Sequence, residues 1–170
     1  FQLDGMYRFR AHVGVLMNIT PDHLDRYDHC FQNYADSKMR IVQNMTSRDW
    51  FVYSGDDEVI WNEIPKYDLR MRQLPFAAKN AVASGAGDAF LCDGKFTATA
   101  GKASVEIDTA KLQIKGLHNA YNAMAAALAA LAAGVAPDRI RSSIYAFAPV
   151  EHRLEPVCET DGVLWINDSK

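Results

Sequence analysis

A lysine on the apolar face of a helix is chemically unusual, and this chain contains one. Residues 31–45 read as an amphipathic helix: Phe31, Tyr34, Ala35, Ile41, Val42 and Met45 fall at i, i+3, i+4, i+10, i+11 and i+14, and the gap at i+7 is Lys38. A charged, unpaired amine is costly there, and burial favours its neutral form. A neutral amine can capture carbon dioxide as a carbamate, which turns a cation into a carboxylate-like metal ligand. The plainer alternative is a stem that snorkels its ammonium to solvent.

Three other groups carry chemistry. In Asn18-Ile19-Thr20-Pro21-Asp22-His23-Leu24-Asp25-Arg26, Asp22 and His23 follow a buried strand, at what reads as a helix start with Thr20 as N-cap and Pro21 at the first position. Backbone donors there favour anions, and an imidazole beside carboxylates can bind a divalent ion. Ordinary helix capping by Asp22 is the competing account. In Gly116-Leu117-His118-Asn119-Ala120-Tyr121-Asn122 the two asparagines share a helix face. A primary amide matches the N6/N7 edge of adenine, although Asn119 alone reads equally as an N-cap. The last group joins Arg153, suited to phosphate and ribose, to Asp168, a strand-end acceptor for ribose hydroxyls; a salt-bridged hinge is the alternative.

These residues need a scaffold. His12 to Ile19 is a near-continuous apolar run, the pattern of a strand covered on both faces of a parallel sheet. Trp50 to Tyr53 gives a second strand, residues 57–63 a short helix, and residues 69–74 a third strand. Residues 85–115 alternate in short segments around the Asp93-Gly94 turn and read as a small antiparallel insert. Residues 119–133 form an alanine-rich helix stopped by Gly134, residues 137–147 another, and residues 154–166 a hairpin around Asp161-Gly162. The expected fold is α/β: a largely parallel sheet flanked by helices, with the antiparallel insert. A composition shift at Pro149 divides residues 1–149 from residues 150–170.

Composition narrows the function. The chain has 170 residues, 49% hydrophobic and 23% charged, as in ordinary globular proteins. Lys+Arg 18 against Asp+Glu 21 gives a net charge of −3, which argues against nucleic acid as a partner. The longest apolar stretch, 123–136, is mostly alanine, interrupted by Gly134 and too short to span a bilayer. Cys30, Cys92 and Cys158 form no Cys-x-x-Cys pair and read as free thiols of a reducing, cytoplasmic compartment. No obligate protein partner is expected. The start at Phe1 and the stop at Lys170, just after a strand, suggest a fragment.

Taken together, Phe1-Gln2-Leu3-Asp4, the Asn18–Arg26 motif, Ser37-Lys38, Gly116-Leu117-His118-Asn119 with Asn122, His152-Arg153-Leu154-Glu155 and Ile166-Asn167-Asp168-Ser169-Lys170 occur in the order found in the Mur ligases of peptidoglycan synthesis, and the chain resembles that family along its whole length. The last two pieces favour the branch that joins D-glutamate to UDP-MurNAc-L-alanine. The resemblance implies ATP and magnesium: ATP phosphorylates the substrate carboxylate, and the amine of D-glutamate displaces phosphate from the acyl phosphate. It implies that Lys38, as a carbamate, holds one magnesium, with His23 as a ligand or near-ligand facing the substrate carboxylate. Asn119 and Asn122 would contact adenine, Arg153 and Asp168 the ribose and phosphates, and Lys170 the reacting phosphate or carboxylate. Residues 1–149 would be the latter part of the central ATP-binding domain, and residues 150–170 the first hairpin of the next.

The chain also departs from the family pattern. It has no Gly-rich Lys-Ser/Thr phosphate loop; Gly85-Ala86-Gly87 lacks the lysine. The family's metal-binding glutamate would lie just before Phe1. The isolated chain is therefore expected to be inactive and to bind ATP weakly. Two alternatives stand beside this reading: a folylpolyglutamate synthase-like ligase, and a nucleotide-binding module without catalysis.

Overall fold

Only the middle of the first apolar run pairs as a strand. In the computed structural model, which describes residues 2–78, 88–148, 155–167 and 169, β1 is Val13–Leu16. It pairs in parallel with β2 (Trp50–Ser54), β2 with β3 (Arg72–Ala77), and β3 with β4 (Ala89–Cys92). Two antiparallel strands, β5 (Lys95–Ala100) and β6 (Ala103–Asp108), complete a six-stranded sheet in the order β1-β2-β3-β4-β5-β6. The antiparallel strands thus extend the main sheet through β4. The chain turns between β4 and β5 at Asp93 and Gly94, both left-handed at φ 48° and 74°.

The sheet is clothed on both faces. Phe51 and Tyr53 of β2 pack with Tyr34, Met39, Val42, Met45 and Ile60, under α1 (Phe31–Met39) and α2 (Glu58–Glu63). Val52 points the other way, to Met124, Leu128 and Ile140 of α3 (Leu117–Ala132) and α4 (Pro137–Ala146). Alternate residues of one strand therefore feed two cores. Alanines at 120, 123, 125 and 127 let α3 lie close to the strands while favouring the helix. Its end is a Schellman turn: the Val135 amide donates to the Ala130 carbonyl and Gly134 to Leu131, each at 2.9 Å, with Gly134 at φ 84°.

Four expectations change. The helix over 31–45 is α1 followed by a 3-10 turn, Arg40–Val42, so the stripe stays on one side while the helix tightens. The third strand lies at 72–77 rather than 69–74; Pro75 fits there because β4 pairs only with Phe76 and Ala77, leaving no ladder bond for the missing N–H. β1 is not covered on both faces, since Val15 is 37% exposed on the sheet's edge strand. No helix starts at Thr20-Pro21; His23 turns left-handed, and a 3-10 turn follows at Leu24–Tyr27.

Gly14 permits a close approach. A Cβ there would lie 3.2 Å from Ile41 Cγ1 and 3.4 Å from Met45 Sδ, so the segment after α1 sits directly on the β1 backbone. The expected hairpin is present as β7 (Glu155–Thr160) and β8 (Val163–Asn167), turned by left-handed Asp161 and Gly162. Gly85-Ala86-Gly87 and the Pro149 boundary lie outside the described residues.

At the opposite end from the candidate site, fully buried Asp49 gathers three strand starts. Its Oδ2 accepts from Thr46 N at 2.7 Å and Thr46 Oγ1 at 2.9 Å, His12 Nδ1 stands 3.2 Å from Oδ1, and its carbonyl accepts from Arg72 N at 3.1 Å. Burial alone would raise this carboxyl, but the Thr46 donors, His12 and Arg10 outweigh it and hold the group below its ordinary value of 3.8. A depressed folded-state pKa stabilises the fold above the unfolded value, and that contribution is lost as pH falls through the folded one. Urea unfolding should show Asp49→Asn to be less stable by about 1–3 kcal/mol at pH 7, and the deficit should shrink as pH drops below about 4.

Candidate active-site crevice

Parallel strands bring their carboxyl ends to one edge, where α/β sheets build ligand crevices. Here residues 17–23 leave β1, Asp56 and Asp57 leave β2, Ala78 leaves β3, and the first turns of α3 lie alongside. The two aspartates knit these exits together. Asp57 Oδ1 accepts from Ile60 N at 2.9 Å and so caps α2, while Oδ2 accepts from Ile19 N at 3.1 Å in the β1 exit. Asp56 Oδ2 accepts from Ala78 N and from the Tyr121 hydroxyl of α3, both at 2.6 Å. Burial and then the Asp56 carboxylate push the Tyr121 phenol far above its ordinary value of 10.0, so it remains a donor.

His23 protrudes from the β1 exit, its side chain 60% exposed. Its backbone is left-handed at φ 50°, ψ 31°, its amide donates to Asp22 Oδ1 at 2.9 Å, and its Nε2 stands 3.6 Å from Asp22 Oδ2. A non-glycine residue held there costs on the order of 1 kcal/mol, and such strain concentrates at functional sites. Asp22 thus ties down the His23 backbone rather than capping a helix.

Lys38 is half-buried between buried Ser37 and Met39, with its amine 5.3 Å from the Tyr34 ring centroid. Among the described residues no hydrogen bond or ion pair joins Lys38 to His23. Next to the lysine, Ser37 Oγ donates to Asp4 Oδ1 at 2.5 Å and the Tyr27 hydroxyl to Asp4 Oδ2 at 3.0 Å. Arg40 donates to the Leu3 and Met6 carbonyls, each at 2.8 Å. The Phe-Gln-Leu-Asp segment is thereby fastened to the lysine helix. The Ser37 bond, then Tyr27 and Arg40, hold the Asp4 carboxyl below its ordinary range against the opposing effect of burial.

Asn119 is not an N-cap: Gly116 takes that position at φ 99°, and Asn119 sits one turn inside, its amide donating to the Lys115 carbonyl at 2.8 Å. Asn122 Nδ2 reaches Asn119 Oδ1 at 3.4 Å, so the two amides share a face. Asn122 also edges an apolar groove of about 270 Å³ lined by Leu112, Ile114, Ala123, Ile144 and Phe147. Arg153, Asp168 and Lys170 lie outside the described residues.

Magnesium is usually held by one or two carboxylates plus phosphate oxygens and water. Among the described residues no three His, Cys, Asp or Glu side chains converge on one point. The donor types of that sparse mode are present in a half-buried lysine, once it carries a carboxylate, and an imidazole beside Asp22, although among the described residues no hydrogen bond or ion pair joins the two. Sequence reasoning passed over Asp56, Asp57 and Tyr121; the only local signal was a pair of aspartates between a buried strand and a helix.

Residues 2–130 match the model of the Mur ligase middle domain, and the chain belongs to the Mur ligase family. More particularly, it is 46% identical over its whole length to the UDP-N-acetylmuramoylalanine–D-glutamate ligase of Bacteroides thetaiotaomicron and 41% identical to that of Christiangramia forsetii, spanning 37% and 38% of those proteins. Among solved structures it is similar to MurF from Acinetobacter baumannii (TM-score 0.67, 22% identity, 92% of this chain and 33% of that one). It is also similar to the MurF ligase of Thermotoga maritima in complex with ADP (TM-score 0.62, 20% identity, 94% and 35%). Among the described residues no helix is long and apolar enough to cross a membrane.

Asp57→Ala removes a helix cap and the tie to the β1 exit. Stability should fall by about 1–2 kcal/mol in urea unfolding, and amide exchange should quicken at Ile19 as well as at Ile60.

Proposed function

We propose that this chain is the nucleotide-handling centre of a cytoplasmic, ATP-dependent ligase that joins D-glutamate to UDP-MurNAc-L-alanine in peptidoglycan synthesis. The observation that carries the reading is chain-long identity of 41–46% to D-glutamate ligases. The geometry supports it: two amides on one helix face beside an apolar groove suit adenine, and a strained histidine leaves the adjoining strand.

The chemistry balances as follows. The substrate carboxylate attacks the γ-phosphorus of ATP and ADP departs. The D-glutamate amine then attacks the acyl carbon, the C–O bond to phosphate breaks, and the amine loses a proton as the amide forms. Asn119 and Asn122 read the adenine edge while the groove takes its faces. His23 faces the substrate carboxylate. Lys38, as a carbamate, and His23 would hold magnesium, which would neutralise charge developing on the phosphates. The family resemblance assigns Arg153 and Asp168 to ribose and phosphates and Lys170 to the reacting group; all three lie outside the described residues.

In the full-length ligase, ADP release should require both UDP-MurNAc-L-alanine and D-glutamate. Lys38→Ala should abolish turnover, and short-chain carboxylates should restore part of it by supplying the missing oxygens. Full activity in Lys38→Ala would overturn the carbamate role. Calorimetry on the 170-residue chain should detect weak ATP binding or none, because backbone donors of a Gly-rich phosphate loop are missing.

A further inference from the structure

The asparagines on α3 can read a base only if the first turns of the helix are held in place; the buried face through Ala120, Met124 and Leu128 sets the rotation of the helix as a whole, but the polar groups of its start add little. Gly116, the N-cap, has no side chain, and the Asn119 amide is bound to the Lys115 carbonyl within the same local turn. Successive helical residues are about 100° apart, so a small shift of the first turns moves both amides along the adenine edge. Misplacement by about 1 Å is enough to cost a productive contact.

Tyr121 lies between the two asparagines and faces the sheet. Its ring packs against Phe76 at 6.0 Å between centroids, and its hydroxyl donates to Asp56 Oδ2 at 2.6 Å. The same carboxylate oxygen accepts from Ala78 N at the exit of β3. The hydrogen bond therefore joins the helix to a point that the sheet itself holds. It bridges 65 residues of sequence, so it conveys tertiary rather than local order.

We infer that Tyr121, through Asp56, is a positioning residue for base recognition: it pins the first turns of α3 to the sheet so that Asn119 and Asn122 discriminate a 6-amino purine from a 6-oxo purine. The inference rests on the nucleotide reading above. It assigns neither Tyr121 nor Asp56 any contact with substrate.

The test compares ATP with inosine triphosphate in the full-length ligase. Tyr121→Phe keeps the ring and deletes the bond. It should raise KM for ATP about tenfold, the scale of one hydrogen bond to a charged acceptor, and lower the preference for ATP over inosine triphosphate. KM for D-glutamate should hold within about twofold. Asp56→Ala should shift the same preference, and Tyr121→Phe added to it should bring little further change, because both act through one bond. If Asp56→Ala does not fold, as thermal melting would reveal, Tyr121→Phe alone decides.

Asn122→Ala separates the two layers. If it lowers the preference and Tyr121→Phe does not, the positioning role is overturned and the nucleotide reading stands. If Asn122→Ala leaves the preference unchanged, the nucleotide reading fails and the inference with it. Equal loss toward ATP, inosine triphosphate and D-glutamate in Tyr121→Phe would mark a merely structural bond and would also overturn the inference.

Discussion

Two adjacent carboxylates at the tip of β2 hold the candidate crevice together. A strand alternates its side chains between faces, but past its end the chain is free to aim consecutive residues at different partners. Asp57 turns toward the β1 exit and the start of α2, and Asp56 toward the β3 exit and α3. Three strand ends and two helices thus meet at two neighbouring residues. Each acceptor answers backbone donors that the end of a ladder would otherwise leave unpaired.

The lysine helix is held by a separate device. Asp4 accepts from both the Ser37 and Tyr27 hydroxyls, whose oxygens lie 3.0 Å apart, and Arg40 clamps the Leu3 and Met6 carbonyls. The two anchorages share no residue. One fixes the edge where a nucleotide would lie, and the other fixes the helix that carries Lys38, so a disturbance of either leaves the other's bonds in place.

Much of this scaffold was legible in the sequence because local chemistry and fold agree. Asp93-Gly94 and Asp161-Gly162 gave both hairpin turns, Gly134 ended α3, and Trp50 to Tyr53 named a central strand. The misreadings occurred where local signals were ambiguous. Thr20-Pro21 carries the residues of a helix start, yet His23 adopts a left-handed turn before any helix forms. The 31–45 stripe continues through a 3-10 turn that helical spacing does not separate from an α-helix. Pro75 obscured a strand that tolerates it only because its neighbour pairs late. In the site, Asn119 and Asn122 stood out because helical spacing is local. The bond between Asp56 and Tyr121 did not, since nothing near either residue in sequence announces the other.

Gly14 sets a clearance. The floor beneath the chain that follows α1 is bare backbone, with Ile41 and Met45 resting where a methyl would otherwise project. The height of the segment after α1 above the sheet is thus gauged by an atom that is not there. The clearance is set from beneath, by a residue that bears no functional group.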